Sequence, residues 1–588
     1  MILQHLEAYY LRLADGDGES LVVPGFSQQN ITFCVELDPG GGVLAIRDVR
    51  DTSGKKTTPR KMKVLGSAKP SGSGLNPCFL WDNSSYLLGF KADDDKPDRT
   101  RQAFEAFRDR HLGLQLEMGD PEFDAVCEFL KSWDPSSAGN HEILKEISTG
   151  FGVFQVGDHR HFVHESPRVL AWWQTQLGSA DESASNDEPM QCLVSGVASP
   201  IARIHEPKIQ GVNGAQSAGA LLVSFNFDAS ESYGREQSFV APVSKESAFR
   251  YAVALNRLLD RGGSQRMQVG DATVVFWTDK KSPIERAFLG LIDSGSVQDE
   301  VLKRRLREIL QLISRGKKAD ELGDEKTMFF VLGLSPNAAR LSVRFWWKGT
   351  VGEVTQRLAK HFDDLSIVKP PNAAEFPSLW QILRETARES KDIPPNLSGS
   401  VMRAILYGTD YPLLLFQCVL RRIKADGEIS PLRAASIKAC LNRTHRLGSF
   451  RSPLSRSLEM SLNKDRPESA YQLGRLFAAL EKTQEDAFKG SVNASIKDRF
   501  FSAASATPAV VFPRLIRMNQ HHVGKLESKA YQINAERRTQ EIMANIDRFP
   551  KFLSMPEQGL FAIGYYHQRQ DFFTKKVDDE SISKAIDA

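Results

Sequence analysis

A proline-rich break at Lys369-Pro370-Pro371 divides the chain into two parts with different hydrophobic patterning. Before the break, short β-branched and aromatic runs alternate with helical periodicity, whereas after it the pattern is helical almost to the end. Prolines at Pro394-Pro395, Ser430-Pro431 and Pro467 fit helix starts in the second part. We therefore predict an α+β fold, with a mixed α/β N-terminal region followed by an all-α C-terminal helical bundle.

The chain is too long for one hydrophobic core, since it has 588 residues. We expect four segments. They are 1–150 (a mixed α/β N-terminal domain), 151–290 (a mixed α/β domain with a glycine-rich loop), 291–370 (a helix and a strand pair) and 371–588 (a helical bundle).

Local patterns predict individual elements of these segments. Strands are expected at Ile31–Leu37, Tyr86–Phe90, Phe151–Val156, His161–His164, Ala220–Phe227, Thr273–Trp277, Met328–Leu334 and Leu341–Trp346. Helices are expected at the first 13 residues, Arg101–Leu114, Asp120–Trp133, Ser247–Leu259 and residues 284–325. The strands at 151–156 and 161–164 are expected to form a hairpin through Gly157-Asp158, and those at 328–334 and 341–346 a second pair.

The charge balance argues against a protein that grips nucleic acid unaided. There are 76 Lys and Arg against 73 Asp and Glu, a net charge of +3, and phosphate-binding proteins usually carry a larger excess. The six cysteines show no CxxC spacing, so we expect reduced, mostly buried thiols. Neither a secretory signal nor a membrane span is apparent, so we expect a cytoplasmic protein.

Sequence motifs of enzymes are mostly absent. The glycine-rich segment Gly211–Gly219 is followed by Ala220, where a phosphate-binding loop needs Lys and then Ser or Thr. The best metal candidate is His159, His161 and His164, but on a strand only the first two share a face. We expect no enzymatic activity, no metal and no cofactor.

The loop from His205 to Gly219 is the first candidate for a DNA contact. Its hydrogen-bonding side chains stand beside glycines that let a backbone approach a ligand closely, and they are those of Lys208, Gln210, Asn213 and Gln216. Amides can read base edges in a groove, and lysine can neutralise phosphate. The alternative is that the glycines only shape a connection and the polar side chains are solvated.

A second candidate is the basic loop Lys55–Lys69, which is followed by Ser71–Asn76. We take its candidate DNA contacts to be Lys55, Lys61, Ser71 and Asn76. A solvated flexible loop explains the same residues. The pairs Trp172-Trp173 and Trp346-Trp347 are each expected to place one ring in the core and one at an interface.

Four stretches, in order along the chain, resemble one known family. They are MILQHLEAYYLRL with PGFSQQNITFCVELDPGG, the block from CLVSGVASPIARIHEPKIQGVNGAQSAGALLVSFNF to FRYAVALNRLL, then FFVLGLSPNAARLSVRFW, and PPNLSGSVMRAILYGTDYPLLLFQCVLRRIKADGEIS. Together they are similar to the large subunit of the type I-C CRISPR surveillance complex (Cascade), across most of the chain.

The resemblance implies a non-catalytic subunit of an RNA-guided complex. Such subunits bind the 5′ handle of the guide RNA, recognise the protospacer-adjacent motif in double-stranded DNA, help to open the DNA and recruit a helicase-nuclease. The implied partners are the CRISPR guide RNA, double-stranded target DNA, the handle-binding and backbone subunits, a helical small subunit and the helicase-nuclease. Pairing of guide with target then supplies most of the sequence specificity.

Families of this kind can also produce the small subunit from an internal start, and Met460 is a candidate here. After it, Asn463 or Asp465 can cap a helix and Pro467 fits its first turn. A buried apolar stripe is then expected at helical spacing, formed by Leu473, Leu476, Phe477 and Leu480.

Two other functions fit the same residues. One is a nuclease with a histidine metal site, and the other is a scaffold subunit that reads no DNA.

Overall fold

The computed structural model describes residues 1–16, 22–52, 57–66, 74–147, 150–158, 160–183, 189–216, 218–225, 227–260, 262–292, 304, 308–309, 311–312, 322–448, 452–489 and 494–573. They form two compact units, Met1–Ile209 with Ala218–Arg257, and Gln210–Ser217 with Leu258–Ala588. The predicted α+β fold is confirmed, because strands and helices mix in the N-terminal region and helices follow. The four segments stay a prediction.

A mixed sheet organises the first unit. Its strands are β1 (Phe26–Leu37), β2 (Val43–Asp48), β3 (Arg60–Leu65), β4 (Trp81–Asn83) and β5 (Phe151–Val156). The long β1 pairs antiparallel with β3 along its first half and with β2 along its second half. On the opposite edge, β1 pairs in parallel with β5, which pairs antiparallel with β4. Two short strands, β6 (Met190–Gln191) and β7 (Ala198–Ser199), form a separate pair.

Helices of the first unit supply much of its core. They are α1 (Ile2–Gly16), α2 (Ser84–Leu87), α3 (Pro97–Met118), α4 (Pro121–Ser132), α5 (Ile143–Ile147), α6 (Pro167–Ser183) and α7 (Lys245–Leu258). The helices predicted at the N-terminus and near residues 101–114, 120–133 and 247–259 are thereby confirmed. In α4, the Asp120 carboxylate accepts hydrogen bonds from the Glu122 and Phe123 amides, which satisfies the helix start.

Three predicted strands of this unit are wrong. Tyr86–Phe90 begins inside α2, because the Asn83 side chain accepts a hydrogen bond from the Ser85 amide and starts a helical turn. His161–His164 runs into a 3₁₀ turn, so no hairpin forms and β5 pairs with β1 instead. Within Ala220–Phe227, Ala220 forms an isolated bridge with Ile209, and the described residues belong to no strand.

An antiparallel sheet begins the second unit. Its strands are β8 (Arg266–Val269), β9 (Ala272–Thr278), β10 (Met328–Asn337) and β11 (Arg340–Thr350), in the order β11-β10-β9-β8. Every residue of β9 is buried, as its apolar run predicts. The predicted pair around residues 328–346 is confirmed as the β10–β11 hairpin, whose strands extend to Asn337 and Arg340.

Helices dominate the rest of the second unit. They are α8 (Ile284–Ile292), α9 (Val351–Leu365), α10 (Leu379–Arg384), α11 (Leu397–Tyr407), α12 (Leu413–Asp426), α13 (Pro431–Arg446), α14 (Ser469–Ala487), α15 (Ile496–Ala506), α16 (Pro508–Val523), α17 (Lys529–Met543) and α18 (Met555–Phe573). Most of the helical prediction for 284–325 beyond Ile292 lies outside the described residues. No described helix has the length and apolar character needed to cross a membrane. The six cysteines are free and buried, as predicted.

The start of α14 differs from its prediction, whereas its buried face is confirmed. The helix begins at Ser469 with Glu468 as its N-cap, so neither Asn463 nor Asp465 caps it, and Pro467 precedes the cap. The predicted stripe is fully buried at Leu473, Leu476, Phe477 and Leu480. In this core α14 packs most extensively against α18.

Two glycines allow α14 and α18 to approach closely. A Cβ added at Gly474 would lie 2.0 Å from the Phe561 carbonyl oxygen, and one at Gly564 would lie 2.1 Å from the Tyr471 carbonyl oxygen. Real Cβ atoms do not come this close to backbone, so a side chain at either position would force the helices apart.

We therefore expect Gly474→Ala to destabilise the second unit by about 1–3 kcal/mol, because overpacking exceeds the gain in helix propensity. Gly399→Ala in α11 is the matched control, since nothing lies within 4 Å of its added Cβ. That substitution is expected to stabilise by up to about 1 kcal/mol. The urea concentrations at the unfolding midpoints of the two variants test this prediction. A midpoint for Gly474→Ala at or above that of Gly399→Ala would contradict the close approach of α14 and α18.

Candidate nucleic-acid interface

Lys61 lies on a strand and not in a loop, which corrects part of the prediction for Lys55–Lys69. It pairs with Asn30 across the β1–β3 ladder, and Lys63 pairs with Gln28 two residues along. Cross-strand partners in an antiparallel pair point to the same face of the sheet. These four side chains therefore share one surface, which we call the β1–β3 face.

The β1–β3 face is polar and accessible. Gln28, Asn30 and Lys61 are exposed, and Lys63 is half-buried. Met62 and Val64, which alternate with the lysines, point to the opposite face and are buried. Gln28 and Asn30 were not predicted, because only the register of β1 with β3 places them beside the lysines.

Lys63 is positioned by an aromatic ring. Its Nζ lies 4.4 Å from the centre of the buried Phe26 ring, so its aliphatic stem covers apolar surface. Burial lowers the pKa of Lys63 from its ordinary value, because a desolvated ammonium loses hydration. The outer lysine, Lys61, keeps the more exposed position on the strand.

The other candidates of the basic segment lie elsewhere. Lys55 and Ser71 fall outside the described residues. Asn76 is exposed in a stretch that is held on α3 through its backbone. There Arg99 Nη2 donates to the Gly74 carbonyl at 3.3 Å, and Arg110 donates to the Pro77 carbonyl.

The glycine-rich loop presents amide side chains to solvent on a defined turn. The Ala215 amide donates to the Val212 carbonyl at 3.1 Å, which closes a turn with Asn213 and Gly214 at its centre. Gly214 has a φ of +76°, which a type II turn requires at that position. Asn213 is exposed at the tip, and so are Gln210 and Gln216 on either side.

Backbone contacts within the second unit fasten this loop. The Asn213 amide donates to Thr273 Oγ1 at 3.0 Å, and Arg266 Nη2 donates to the Gly211 carbonyl at 3.0 Å. Gly211 has a φ of +87°, and a Cβ there would lie 2.8 Å from the Leu259 carbonyl oxygen. Glycine is therefore needed for the backbone path, while the Asn213 side chain is exposed at the tip of the turn.

Lys208 belongs to the first unit, unlike the other candidates of this loop. It is half-buried, and its carbonyl accepts a hydrogen bond from Asn256 Nδ2 at 3.0 Å. Nearby His205 is buried and bonded through Nδ1 to the Tyr251 hydroxyl at 2.6 Å. Burial lowers the pKa of His205 to about 4, so the imidazole is neutral near pH 7.

The two described histidines of the metal candidate, His161 and His164, contact different neighbours. His161 Nε2 lies 3.0 Å from Glu122 Oε1, whereas His164 is buried beside Phe162 with its pKa lowered by burial to about 4. His159 lies outside the described residues. Within the described part of the chain, no three His, Cys, Asp or Glu side chains are grouped so that they could hold a metal ion.

Packing accounts for both tryptophan pairs. Trp173 is half-buried, stacks on Phe79 at 5.4 Å and donates to the Gly25 carbonyl, and Trp172 is also half-buried. Trp347 is buried in the core, and Trp346 stacks on Phe330 at 5.8 Å. The amide and lysine surfaces are therefore the better candidates for nucleic-acid contact.

Comparison with known proteins adds one match. A family model described as CRISPR-associated protein (Cas_Csd1) matches residues 6–573. None of the curated proteins matches the chain.

Proposed function

Because the chain belongs to the CRISPR-associated Cas_Csd1 family, we propose that it is the non-catalytic large subunit of a type I-C CRISPR RNA-guided DNA surveillance complex. In this proposal it helps to bind the guide RNA 5′ handle, recognises the protospacer-adjacent motif in duplex DNA, helps to open that DNA and recruits the helicase-nuclease. The match over residues 6–573 is the observation that carries the role.

The proposed partners follow from that role. They are the guide RNA, double-stranded target DNA, the handle-binding and backbone subunits, a helical small subunit and the helicase-nuclease. The net charge of +3 supports local contacts within an assembly, because little long-range attraction to phosphate is available to the chain alone. An internal start at Met460 remains our proposal for the source of the small subunit.

The β1–β3 face supports a contact with DNA through spacing as well as charge. Residues two apart on a strand are separated by about 7 Å, so Lys61 and Lys63 are spaced by about two nucleotide rises of 3.4 Å. Lysines with this separation can follow one phosphate strand, and the Gln28 and Asn30 amides beside them can donate and accept hydrogen bonds. This face is suited to positioning the duplex.

The Val212–Ala215 turn supports a reading role. Its backbone is fastened at Gly211 and Asn213, so little conformational entropy is lost when the exposed Asn213 amide meets a base edge. Amide side chains can form paired hydrogen bonds with adenine in the major groove and can contact acceptors in the minor groove. Asn213 is thus the best candidate of the loop for sequence recognition.

Binding of the assembled complex to short duplexes over a range of salt concentrations tests both surfaces. Lys61→Ala is expected to weaken all sequences alike and to reduce the slope of log K against log salt by about 1, since one phosphate contact is lost. Asn213→Ala is expected to cost about 1–3 kcal/mol on the preferred flanking motif and to relax discrimination at one position.

Matched variants keep this test specific. Arg60→Ala removes a charge from the same strand on its opposite face, and Asn534→Ala removes an exposed amide from α17. Both are expected to bind as the unchanged complex does. Identical binding by all four variants would favour a scaffold that reads no DNA. Metal-dependent cleavage by the isolated chain, abolished by changing His159 and His161, would favour the nuclease.

A further inference from the structure

A polar groove opens in the second unit between β11, α11 and the loop that leads to α12. Its volume is about 510 Å³. The lining residues are Arg344, Phe345, Ser400, Arg403, Ala404, Tyr407, Thr409, Asp410 and Pro412. The groove shares no lining residue with the β1–β3 face or with the Val212–Ala215 turn.

Arg344, which lines the groove, lies at a β-bulge in the β10–β11 hairpin. Gly333 pairs with Phe345 and Leu334 pairs with Val343, so Arg344 is the extra residue of the hairpin. Bulges bend an edge strand and redirect a side chain, and they recur beside binding sites. Arg344 Nη2 forms an ion pair with Asp271 at 3.0 Å and keeps 46% of its side chain exposed.

Arg403 borders the groove without a carboxylate partner, and Arg357 lies against the start of the loop that leads to α12. Arg403, exposed on α11, donates to Ser400 Oγ at 3.4 Å, and among the described residues no carboxylate lies within ion-pair distance of it. The guanidinium of Arg357 on α9 lies against Gly408, where an added Cβ would be 2.1 Å from Nη1, and it too forms no described ion pair. An anionic ligand would compensate these charges.

Tyr407 adds an aromatic surface beside these arginines. Its ring is 45% exposed, and its hydroxyl donates to the Trp346 carbonyl on the edge of β11. That bond holds the ring across the groove, while buried Phe345 and Ala404 form apolar floor. An aromatic ring held in place beside an arginine without a carboxylate partner suits single-stranded nucleic acid, because the base can stack on the ring while the phosphate contacts the guanidinium.

Asp410 argues against a site for a simple anion. Its carboxylate accepts a hydrogen bond from the Thr444 hydroxyl at 3.0 Å and remains exposed at the groove. A carboxylate repels an acidic peptide but accepts hydrogen bonds from the amino group of a base or from a ribose hydroxyl. The observations therefore favour a nucleotide over an acidic protein segment.

We propose that this groove binds a nucleotide of single-stranded nucleic acid, with its phosphodiester at Arg403 and its base against Tyr407. This inference rests on the proposed function, since an RNA-guided complex holds both guide RNA and a displaced DNA strand. It adds a binding site in the second unit that the duplex contacts proposed for Lys61 and Asn213 do not require.

Fluorescence anisotropy of the full chain with labelled oligothymidylate and oligouridylate tests the site, with titration to about 1 mM, above ordinary non-specific dissociation constants. Tyr407→Ala and Arg403→Gln are each expected to weaken binding about five- to a hundredfold. Tyr407→Phe keeps the ring and is expected to retain most of the affinity. Arg384→Gln is the matched control, because exposed Arg384 likewise contacts one serine hydroxyl, at 3.5 Å.

Equal binding by Arg403→Gln, Tyr407→Ala and the unchanged chain would overturn the proposal, and so would the absence of binding. A glutamate-rich peptide that binds in an Arg403-dependent manner, without such oligonucleotide binding, would also overturn it in favour of a protein ligand. If Lys61→Ala and Asn213→Ala bind duplex DNA as the unchanged complex does, only the proposed duplex contacts are refuted. An unchanged Arg403 variant refutes only the groove.

Discussion

Asp364→Asn is expected to lower the free energy of unfolding of the second unit by about 3–5 kcal/mol, because it leaves buried arginine charge uncompensated. Asp364 lies in the last turn of α9 and is 2% exposed. Its Oδ2 accepts from Arg443 Nε at 3.0 Å and from Arg446 Nη2 at 2.9 Å, and its Oδ1 accepts from Arg446 Nη1 at 2.7 Å. Both arginines come from α13.

Arg443, the buried partner of Asp364, also contacts the loop that lines the groove, between Gly408 and Pro412. Arg443 is 1% exposed, lies 3.9 Å from the centre of the Tyr411 ring and donates to the carbonyls of Ala404 and Thr409. Loss of the Asp364 charge is therefore expected to loosen α9, α13 and the loop between Gly408 and Pro412 together. The effect follows from desolvation, since a guanidinium without its counterion cannot regain water in this position.

Asp363→Asn is the matched control for this prediction. Asp363 precedes Asp364 on the same helix, but its ion pair with Lys360 is exposed and is expected to contribute at most about 1 kcal/mol. Urea unfolding should be read by hydrogen–deuterium exchange in α9 and α13 peptides, because a chain of two units need not unfold in one step. Equal midpoints for the two variants would show that the buried network contributes no more than the exposed pair.

Acidification below pH 6.5 is expected to destabilise both units strongly. Burial lowers the pKa of five histidines, to about 3 for His111, His361 and His567 and to about 4 for His164 and His205. In the unfolded chain these groups titrate near 6.5. Below that pH the unfolded state binds more protons, so stability is complete above pH 6.5 and is lost as pH falls towards 4.

The expected slope is about 1.4 kcal/mol per pH unit for each histidine in that window. His111 shows why the neutral form is needed: its Nε2 accepts from the Leu80 amide at 3.0 Å, while Nδ1 lies 2.7 Å from the Phe107 carbonyl. Protonation of Nε2 would remove that acceptor. In the second unit, His361 Nδ1 contacts the Tyr411 hydroxyl at 2.5 Å, and the nearby Arg443 charge further lowers the pKa of His361.

Urea midpoints measured between pH 8 and pH 4 test this expectation. His111→Gln should reduce the slope of the first unit by the contribution of one histidine. A flat profile of the unchanged protein between pH 6.5 and 4.5 would show that these histidines are not held neutral by burial.

The candidate interface could be predicted in its residue types but not in its arrangement. Lys61 was found from the density of basic residues, whereas its neighbours Gln28 and Asn30 became visible only in the β1–β3 register. A register joins residues about thirty apart, and the sequence pattern near either one does not reveal the pairing. The loop amides were found from composition, and the turn with Gly214 at positive φ then explained why glycine is there.

Helices and the β10–β11 hairpin were determined by the sequence itself. In α4, the apolar residues Phe123, Val126, Cys127 and Leu130 recur at helical spacing and are all buried behind a capping aspartate. The β10–β11 strands are apolar, nearby in sequence and joined by a short turn, so local information was sufficient. Such elements depend on contacts between residues that are close along the chain.

Only the tertiary structure decided which distant elements meet. The parallel pairing of β1 with β5 joins residues about 120 apart, so the local pattern at Phe151–Val156 predicted a strand but assigned it the wrong neighbour. Likewise, no periodicity predicts that Asp364 meets Arg443, or that Arg344, Arg403 and Tyr407 border one groove. The physical reason is that local patterns state which faces must be buried, whereas packing of the whole unit selects the surfaces that bury them.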